Sequence, residues 1–379
     1  MARCAASAPR IDPAQFTDTR LTGTWPEVCA GVLRAGASLA SRARSDVDAW
    51  CGAHEAHTAA VSAFLRMFTT LSPGRWALPV LYVLLRDLRW VALGADYASR
   101  PATRTSLPTQ RHLEDCARVL NRAFGLCAAD RHTELAHSRK WGTYTVANML
   151  FATYFRLRSL GLCRNILRAL TAGDVPPLDA FGRADVVTFR YYLGRLRFLD
   201  EEYAAAEAEL ARALSATPAR ATRHQEHILV YLVPARLLSG VRPSRALCAA
   251  FPRIGALYGG AVGACARGDL RAYDAALRAA DRVLVNLGVY LALERARAVC
   301  IAGLFRRVWL ASARQTRVRL ELFWRALRFV GEDAAPSDAE WYLATLIARG
   351  HVRGYIAHER QVVVLSASDP FPKRAATTF

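Results

Sequence analysis

The chain has 379 residues, of which 53% are hydrophobic and 22% charged, and its formal net charge is +19. This composition excludes a globally disordered chain and allows either two domains or one long helical repeat. The positive charge is almost entirely arginine, since Lys140 and Lys373 are the only lysines in the sequence. Arginine and alanine are both abundant, so the charge has two open explanations: GC-rich coding sequence, or a polyanionic partner.

Nine cysteines are spread along the chain without a C-x-x-C pair, and their number is odd. This pattern predicts a reduced intracellular protein with buried thiols rather than a disulfide framework. No signal peptide is recognisable, and we interpret residues 1–46 as a variable N-terminal extension. The most apolar stretch, Trp76–Ala95, contains Arg86, Asp87 and Arg89, so no membrane insertion is expected.

From Val47 to about residue 349 the apolar residues recur at helical spacing, and breaks rich in proline and glycine separate the segments. Paired helices of similar length joined by short links are typical of an α-solenoid. We therefore predict an all-α solenoid over residues 47–288. The predicted helices are 47–71, 75–95, 109–128, 138–156, 158–171, 184–197, 201–215, 222–239, 243–250, 254–266, 269–286, 289–311, 317–330 and 337–349.

One helix pair of this solenoid carries a repeat pattern similar to that of tetratricopeptide (TPR) repeats. Small residues at fixed spacing let two helices approach closely, and a proline ends the unit. The residues that make up the pattern are Leu193, Gly194, Tyr203, Ala206, Leu210, Ala213 and Pro218. The solenoid is therefore predicted to be TPR-like.

Residues 336–366 carry the most informative pattern in the chain. Ser337 and Glu340 have the spacing of a capping box, which predicts a short amphipathic helix after them. Two apolar segments then flank the polar turn 358–360, as in a β-hairpin. A short helix followed by a two-stranded wing is the back half of a winged helix, which either lies on nucleic acid or packs against a copy of itself. We assign residues 289–368 to this subdomain and 369–379 to a tail.

Signals for catalysis or cofactor binding are weak. The pairs His54/His57 and His224/His227 lack further ligands, so we interpret all four as solvated histidines rather than as metal ligands. The sequence contains no P-loop, no H-E-x-x-H motif and no G-x-S-x-G motif. It therefore predicts a non-enzymatic protein without a metal or another cofactor.

Basic residues are dense in the C-terminal part of the chain. Between residues 292 and 379 there are fourteen basic and eight acidic side chains. Arginine at this density can bind phosphates through paired hydrogen bonds, although a solvated helix face is the competing explanation. The candidate nucleic-acid-binding residues are Arg306, Arg307, Arg314, Arg317, Arg319, Arg349, Arg353, Arg360, Lys373 and Arg374.

A helical repeat that ends in a winged helix resembles the PCI domain of proteasome-lid, signalosome and translation-initiation scaffolds. Several segments resemble one branch, the PCI domain-containing protein 2 family, over about residues 60–373. These segments are Trp76–Pro79, Lys140–Leu170, Phe189–Ala213, His227–Pro234, Leu304–Val308, Leu343–His358 and Asp369–Pro372. Gly303 and Thr345 depart from the family pattern, which usually has asparagine at these positions, so details of the partner contact stay open.

The resemblance implies a subunit of the second transcription–export (TREX) complex at nuclear pores. Such subunits pair with a larger PCI scaffold subunit and a small acidic DSS-type subunit, and the paired winged helices form a basic platform for RNA or double-stranded DNA. Arg306, Arg307, Arg349 and Arg353 occupy family positions that are basic or adjoin the wing. The expected location is the nucleus, with the cytoplasm left open. The candidate partner-binding residues are Trp341, Tyr355, Val362, Val364, Tyr191 and Tyr203.

An alternative function remains at this point. A structural PCI subunit of a signalosome-like or lid-like assembly would have the same fold without binding nucleic acid directly. In that case the wing would pack only against another wing, and the arginines would be solvated.

Overall fold

The computed structural model describes residues 23–40, 46–99 and 110–372. In these ranges the chain forms fifteen α-helices and three strands, and it divides into two compact units, Met1–Tyr192 and Leu193–Phe379. In chain order the elements are α1 (Trp25–Ala40), α2 (Val47–Thr70), α3 (Leu78–Ala98), α4 (Arg111–Ala128), α5 (Thr143–Leu157), α6 (Leu160–Ala172), α7 (Arg183–Leu199), α8 (Tyr203–Ala216), α9 (Thr222–Leu238), α10 (Arg245–Ala250), α11 (Pro252–Arg267), α12 (Leu270–Leu287), α13 (Tyr290–Ala311), β1 (Arg317–Arg319), α14 (Leu320–Phe329), α15 (Pro336–Ala348), β2 (Gly354–Ala357) and β3 (Val362–Leu365).

In the first unit, successive helices pack their apolar faces against each other. Helix α1, which falls inside the predicted extension 1–46, packs on α2, and α2 packs on α3. Small residues allow the close approach, since Ala35, Ala53 and Val91 of the three helices form one buried cluster. Asp46 fixes the start of α2 by accepting a hydrogen bond from the Ala49 amide, 3.0 Å away, as an N-cap residue does.

Two histidines of α2 are buried, so the prediction that they are solvated is wrong for this pair. His57 Nε2 lies 3.0 Å from the carbonyl oxygen of Leu84, and His54 packs edge-on against His112 with ring centroids 5.0 Å apart. Burial lowers the pKa of both His54 and His57, because the charged imidazolium would lose its hydration. The second pair, His224 and His227 of α9, is exposed.

The second unit begins with the TPR-like pair. Ala206, Leu210 and Ala213 are fully buried on α8, as the repeat pattern predicts. Helix α9 packs on α8, and α12 packs on both α11 and α13. Asp269 caps α12 by accepting a hydrogen bond from the Ala272 amide, 3.0 Å away.

The link between α11 and α12 passes directly against α13. Gly268 has a φ of +65°, and a Cβ at this position would lie 2.6 Å from the amide nitrogen of Leu304. A Cβ at Gly303 would lie 2.8 Å from the carbonyl oxygen of Cys265. Any side chain at this crossing would therefore push two backbone segments apart. The crossing fixes the turn of α13 that follows, which carries Arg306 and Arg307.

The last six elements, from α13 to β3, have the connectivity of a winged helix. The sheet has the strand order β1-β3-β2, and both pairs are antiparallel. The predicted fold class, an all-α helical repeat ending in a winged helix with a small β-hairpin, is confirmed. The predicted helix 317–330 is wrong in its first turn, because Arg317–Arg319 pair with β3 as a third strand and α14 begins at Leu320.

The start of α15 also differs from the predicted capping box of Ser337 and Glu340. The helix begins at Pro336, and the Asp338 carboxylate accepts a hydrogen bond from the Ala335 amide at 2.8 Å. Proline suits the first helical position because its missing N–H has no partner there. Glu340 Oε1 instead lies 2.7 Å from His358 Nδ1, which ties the helix to the wing turn.

Candidate functional site

One face of the three-stranded sheet is open to solvent and carries arginines beside apolar side chains. Residues directly opposite each other in an antiparallel pair share a face. The pairing register forms one row from Arg317, Val364 and Tyr355 and a second from Arg319, Val362 and Ala357. We call these six residues the open sheet face.

The opposite side of the sheet belongs to the core. Val318, Val363 and Leu365 are buried there. On the open sheet face, Arg317 and Arg319 are exposed and Val362 and Val364 are half-buried. Tyr355 is 64% exposed, so three of the predicted partner-binding residues share one accessible surface with two of the predicted arginines.

Arg306 and Arg307 line an open groove of about 750 Å³ together with Arg242, His351 and Phe371. We call this the basic groove. Its lining comes from segments far apart in the sequence, since Arg242 follows α9 and His351 follows α15. The fold therefore places a third arginine beside the predicted pair, and sequence reasoning missed Arg242 because no local pattern marks it.

Two smaller grooves adjoin the basic groove. His351 also lines a groove of about 370 Å³ with Arg349 and Tyr203. Arg349 in turn lines a groove of about 330 Å³ with Trp341. Shared lining residues make the three grooves neighbours, so Arg306, Arg307 and Arg349 lie along one connected stretch of surface.

Seven of the eight described candidate arginines make no ion pair with another described residue. The exception is Arg353, whose Nη1 lies 3.4 Å from Asp369 Oδ2. Three arginines of the same subdomain that are not candidates are neutralised: Arg295 by Glu201 at 2.6 Å, Arg297 by Asp274 at 2.9 Å, and Arg325 by Glu321 at 2.5 Å. The seven unpaired arginines are thus available to bind an outside anion.

The remaining candidates lie at separate places. Arg314 is exposed in the link between α13 and β1, and Arg360 is exposed in the wing turn. Lys373 and Arg374 lie outside the described residues. Tyr203 is half-buried against Phe198, with ring centroids 5.2 Å apart. Tyr191 belongs to the first unit and packs beside Tyr192.

Trp341 projects from α15 and is 62% exposed. Its ring packs edge-on against Tyr342, with centroids 5.0 Å apart. Leu343 and Leu346 of the same helix are buried. The helix therefore uses its leucines for packing and leaves the tryptophan accessible, and the partner role of Trp341 stays a prediction.

Sequence reasoning missed an exposed apolar stripe on the first unit. Trp76, Val83, Trp90 and Tyr97 recur every seven residues, and they are 56%, 54%, 49% and 68% exposed. Seven residues are about two helical turns, so the side chains lie along one side of α3 and the turn before it. Exposed apolar patches mark interaction sites. The signal in the sequence that could have revealed this stripe is the apolar composition of Trp76–Ala95.

In the described part of the chain, no group of three or more histidine, cysteine and acidic side chains is placed to hold a metal ion. None of the helices described here is long and apolar enough to span a bilayer.

Known proteins similar to this chain come from fungi and animals. Protein CSN12 homolog of Mycosarcoma maydis is 43% identical over 93% of this chain and 85% of the relative. Protein CSN12 homolog of Schizosaccharomyces pombe is 36% identical over 82% and 76%. PCI domain-containing protein 2 of Xenopus laevis is 30% identical over 84% and 79%. No protein-family model matches the chain. Because these identities extend over most of both chains, the protein belongs to the PCI domain-containing protein 2 family, whose members include the CSN12 homologs.

Proposed function

We propose that this protein is a non-enzymatic scaffold subunit that pairs with a larger PCI subunit and binds RNA or double-stranded DNA through its winged helix. The complex would couple transcription to messenger RNA export at the nuclear pore, so the proposed location is the nucleus. The observation that carries the nucleic-acid part is the set of unpaired arginines around the basic groove and the open sheet face. Unpaired guanidinium groups bind backbone phosphates without sequence preference and release counterions on binding.

The partner part of the proposal rests on the open sheet face. Tyr355, Val362 and Val364 offer apolar area, and Arg317 and Arg319 border it. An aromatic anchor next to arginines is the composition of interface hot spots. A small acidic DSS-type subunit is a further proposed partner, because a chain with a formal net charge of +19 would attract an acidic peptide and speed the encounter.

The decisive experiment measures RNA and duplex-DNA affinity of the partner complex as a function of salt, with Arg306 and Arg307 both changed to alanine. If both side chains contact phosphate, the slope of log affinity against log salt should fall in magnitude by about 1.4 for single strands and about 1.8 for duplex DNA. An unchanged affinity and slope would remove the basic groove from the binding surface.

A matched control removes the same charge from the same subdomain. The double variant Arg325→Ala with Arg328→Ala takes two exposed arginines from α14. Arg325 is already paired with Glu321, and Arg328 lies over the Trp324 ring with its guanidinium carbon 5.8 Å from the centroid. The control should change the slope less than the Arg306/Arg307 variant. Equal effects would show that bulk charge, and not the groove, sets the affinity.

The second candidate is a structural subunit of a signalosome-like assembly without direct nucleic-acid binding. It is favoured by the name CSN12 homolog carried by several relatives. Affinity purification with mass spectrometry separates the two candidates. Recovery of signalosome or lid subunits without export factors would favour the structural role, and the reverse would favour the export role.

A further inference from the structure

A cysteine, a histidine and an aspartate of the first unit lie in sequential contact with one another. Cys51 Sγ on α2 is 3.6 Å from Nε2 of His112 in the first turn of α4. Nδ1 of the same imidazole is 3.0 Å from Oδ1 of Asp96, near the end of α3. Cys51 and His112 are partly exposed, whereas Asp96 is buried.

The carboxylate of Asp96 is held in place by a second set of contacts. It accepts hydrogen bonds from the backbone amides of His112 and Leu113, each at 3.0 Å. An ionised carboxylate can only accept, so Nδ1 of His112 carries its hydrogen and donates it to Asp96. In the neutral imidazole, Nε2 then has a lone pair that faces the thiol. The three side chains thus form a nucleophile beside a base that a carboxylate orients.

A fourth polar side chain at this cluster has unused hydrogen-bonding capacity. His54 is 4% exposed and packs edge-on against His112. Its Nε2 is buried and has no hydrogen-bond partner among the described residues. Burial, followed by repulsion from His112, lowers the pKa of His54. Packing alone rarely leaves such a buried nitrogen without a partner, so the cluster has an open acceptor or donor position beside the reactive pair.

We propose that Cys51 is a modification site that exchanges with low-molecular-weight disulfides, for which glutathione disulfide is the probe. His112 Nε2 accepts the thiol proton, and Cys51 Sγ attacks one sulfur of the disulfide. The disulfide's S–S bond breaks as the new S–S bond to Cys51 forms. The departing glutathione leaves as a thiolate and takes up one proton. One thiol and one disulfide thus become one mixed disulfide and one free glutathione, and no other oxidant is required.

Exchange fits this site better than acyl transfer does. It needs a thiol, a proton acceptor in contact with that thiol, and access from solvent, and the cluster has all three. Acyl transfer would also need donors placed for an oxyanion. The backbone amides of His112 and Leu113, at the start of α4, already donate to Asp96 and are not free for that role.

The chain contains its own reference thiols. Cys248, in the second unit, is partly exposed like Cys51 but has no imidazole contact among the described residues. Cys116, on the same helix as His112, is buried, and burial raises its pKa to about 12. A free cysteine is a few per cent thiolate at neutral pH. Converting such a thiol entirely to thiolate would therefore raise its exchange rate by at most a few tens of fold. A thiolate that its surroundings stabilise is also a weaker nucleophile, which reduces that gain.

The test incubates the full-length protein with glutathione disulfide at neutral pH and follows the mixed disulfide at each cysteine by mass spectrometry. We expect Cys51 to react roughly tenfold faster than Cys248. His112→Gln, which cannot take up the proton, should lower the Cys51 rate to that of Cys248 and leave Cys248 unchanged. Asp96→Asn, which still can cap α4, should lower the Cys51 rate several-fold.

Cys116 reports whether a variant is folded, because its buried thiol reacts when the first unit opens. A variant in which Cys116 becomes reactive is set aside, and the comparison of Cys51 with Cys248 in the unmodified sequence then decides alone. Equal rates at these two cysteines would overturn the proposal. So would a folded His112→Gln variant in which Cys51 reacts as fast as before.

Discussion

The crossing of the α11–α12 link with α13 gives a stability prediction that can be worked out from two glycines. Gly268 has a φ of +65° and lies against the Leu304 backbone, where a Cβ would be 2.6 Å from the amide nitrogen. Gly240 has a φ of +81°, and a Cβ there would have no heavy atom within 4 Å. Both positions share the left-handed backbone, but only one is crowded. The pair Gly268→Ala and Gly240→Ala therefore separates backbone strain from steric overlap.

The expected loss of unfolding free energy is the sum of the cost of backbone strain and the cost of steric overlap. Left-handed backbone costs a residue with a Cβ roughly 1–2 kcal/mol. Inserting a methyl group into a packed contact costs about 1–3 kcal/mol more. We expect Gly240→Ala to lower the free energy of unfolding by roughly 1–2 kcal/mol and Gly268→Ala by about 2–5 kcal/mol.

Urea denaturation followed by circular dichroism measures both variants. The slope of free energy against urea should stay that of the parent, which would show that the surface exposed on unfolding is unchanged. If Gly268→Ala is no more destabilising than Gly240→Ala, the two backbone segments are not in close contact. The explanation of how the crossing positions Arg306 and Arg307 would then be wrong.

Three further predictions concern other parts of the chain. Tyr355→Ala should weaken binding to the larger PCI subunit about 5- to 30-fold in a titration. The reason is that burial of a largely exposed aromatic ring by a partner contributes roughly 1–2 kcal/mol of binding free energy. Phe329→Ala, the control, removes an 86% exposed ring outside the open sheet face and should have little effect. Burial lowers the pKa of His54 and His57, so their protonation favours the unfolded state. The free energy of unfolding should therefore be at its full value above about pH 6.5. Below that pH it should fall by up to about 1.4 kcal/mol per pH unit for each histidine. His57→Gln should make that decline shallower, whereas the exposed His224→Gln should not. Asp130→Ala should lower the free energy of unfolding of the first unit by about 3–5 kcal/mol. The reason is that the Asp130 carboxylate accepts hydrogen bonds from Arg139 Nη2 and from Ser138 Oγ, both at 2.7 Å. Asp130→Asn should lower it less in the same denaturation assay.

The helices were predictable because their signals are local. Apolar periodicity and breakers fix most helix bounds to within a few residues, as for α9, predicted at 222–239 and observed at Thr222–Leu238. Strand β1 was not predictable in this way. Its three residues alternate exposed and buried, and they become a strand because β3, more than forty residues later, supplies the hydrogen-bonding partner.

Competition between neighbouring residues explains why the predicted capping box at the start of α15 is wrong. Ser337 and Glu340 have capping-box spacing, but Pro336 already occupies the first helical position and Asp338 reaches the Ala335 amide.

The buried histidines show a different limit of prediction from sequence. Helical spacing places His54 and His57 on α2, but only the packing of α3 and α4 determines that this side of the helix is covered. Likewise, the proximity of Arg242 to Arg306 comes from tertiary packing that no short segment encodes.

The pairing register explains how protein pairing and phosphate binding can use one small subdomain. Side chains alternate between the two faces of a strand, so Arg317 and Arg319 face solvent because Val318 between them is buried. A slip of one residue would bury both arginines and expose the valine. The same register sets Val364 and Tyr355 beside Arg317. An apolar partner surface centred on Tyr355 would therefore leave the arginines at its rim, where their charges stay hydrated and can still contact phosphate. The basic groove is lined by a different set of residues, so alanine substitutions of Arg306 and Arg307 need not disturb the pairing surface.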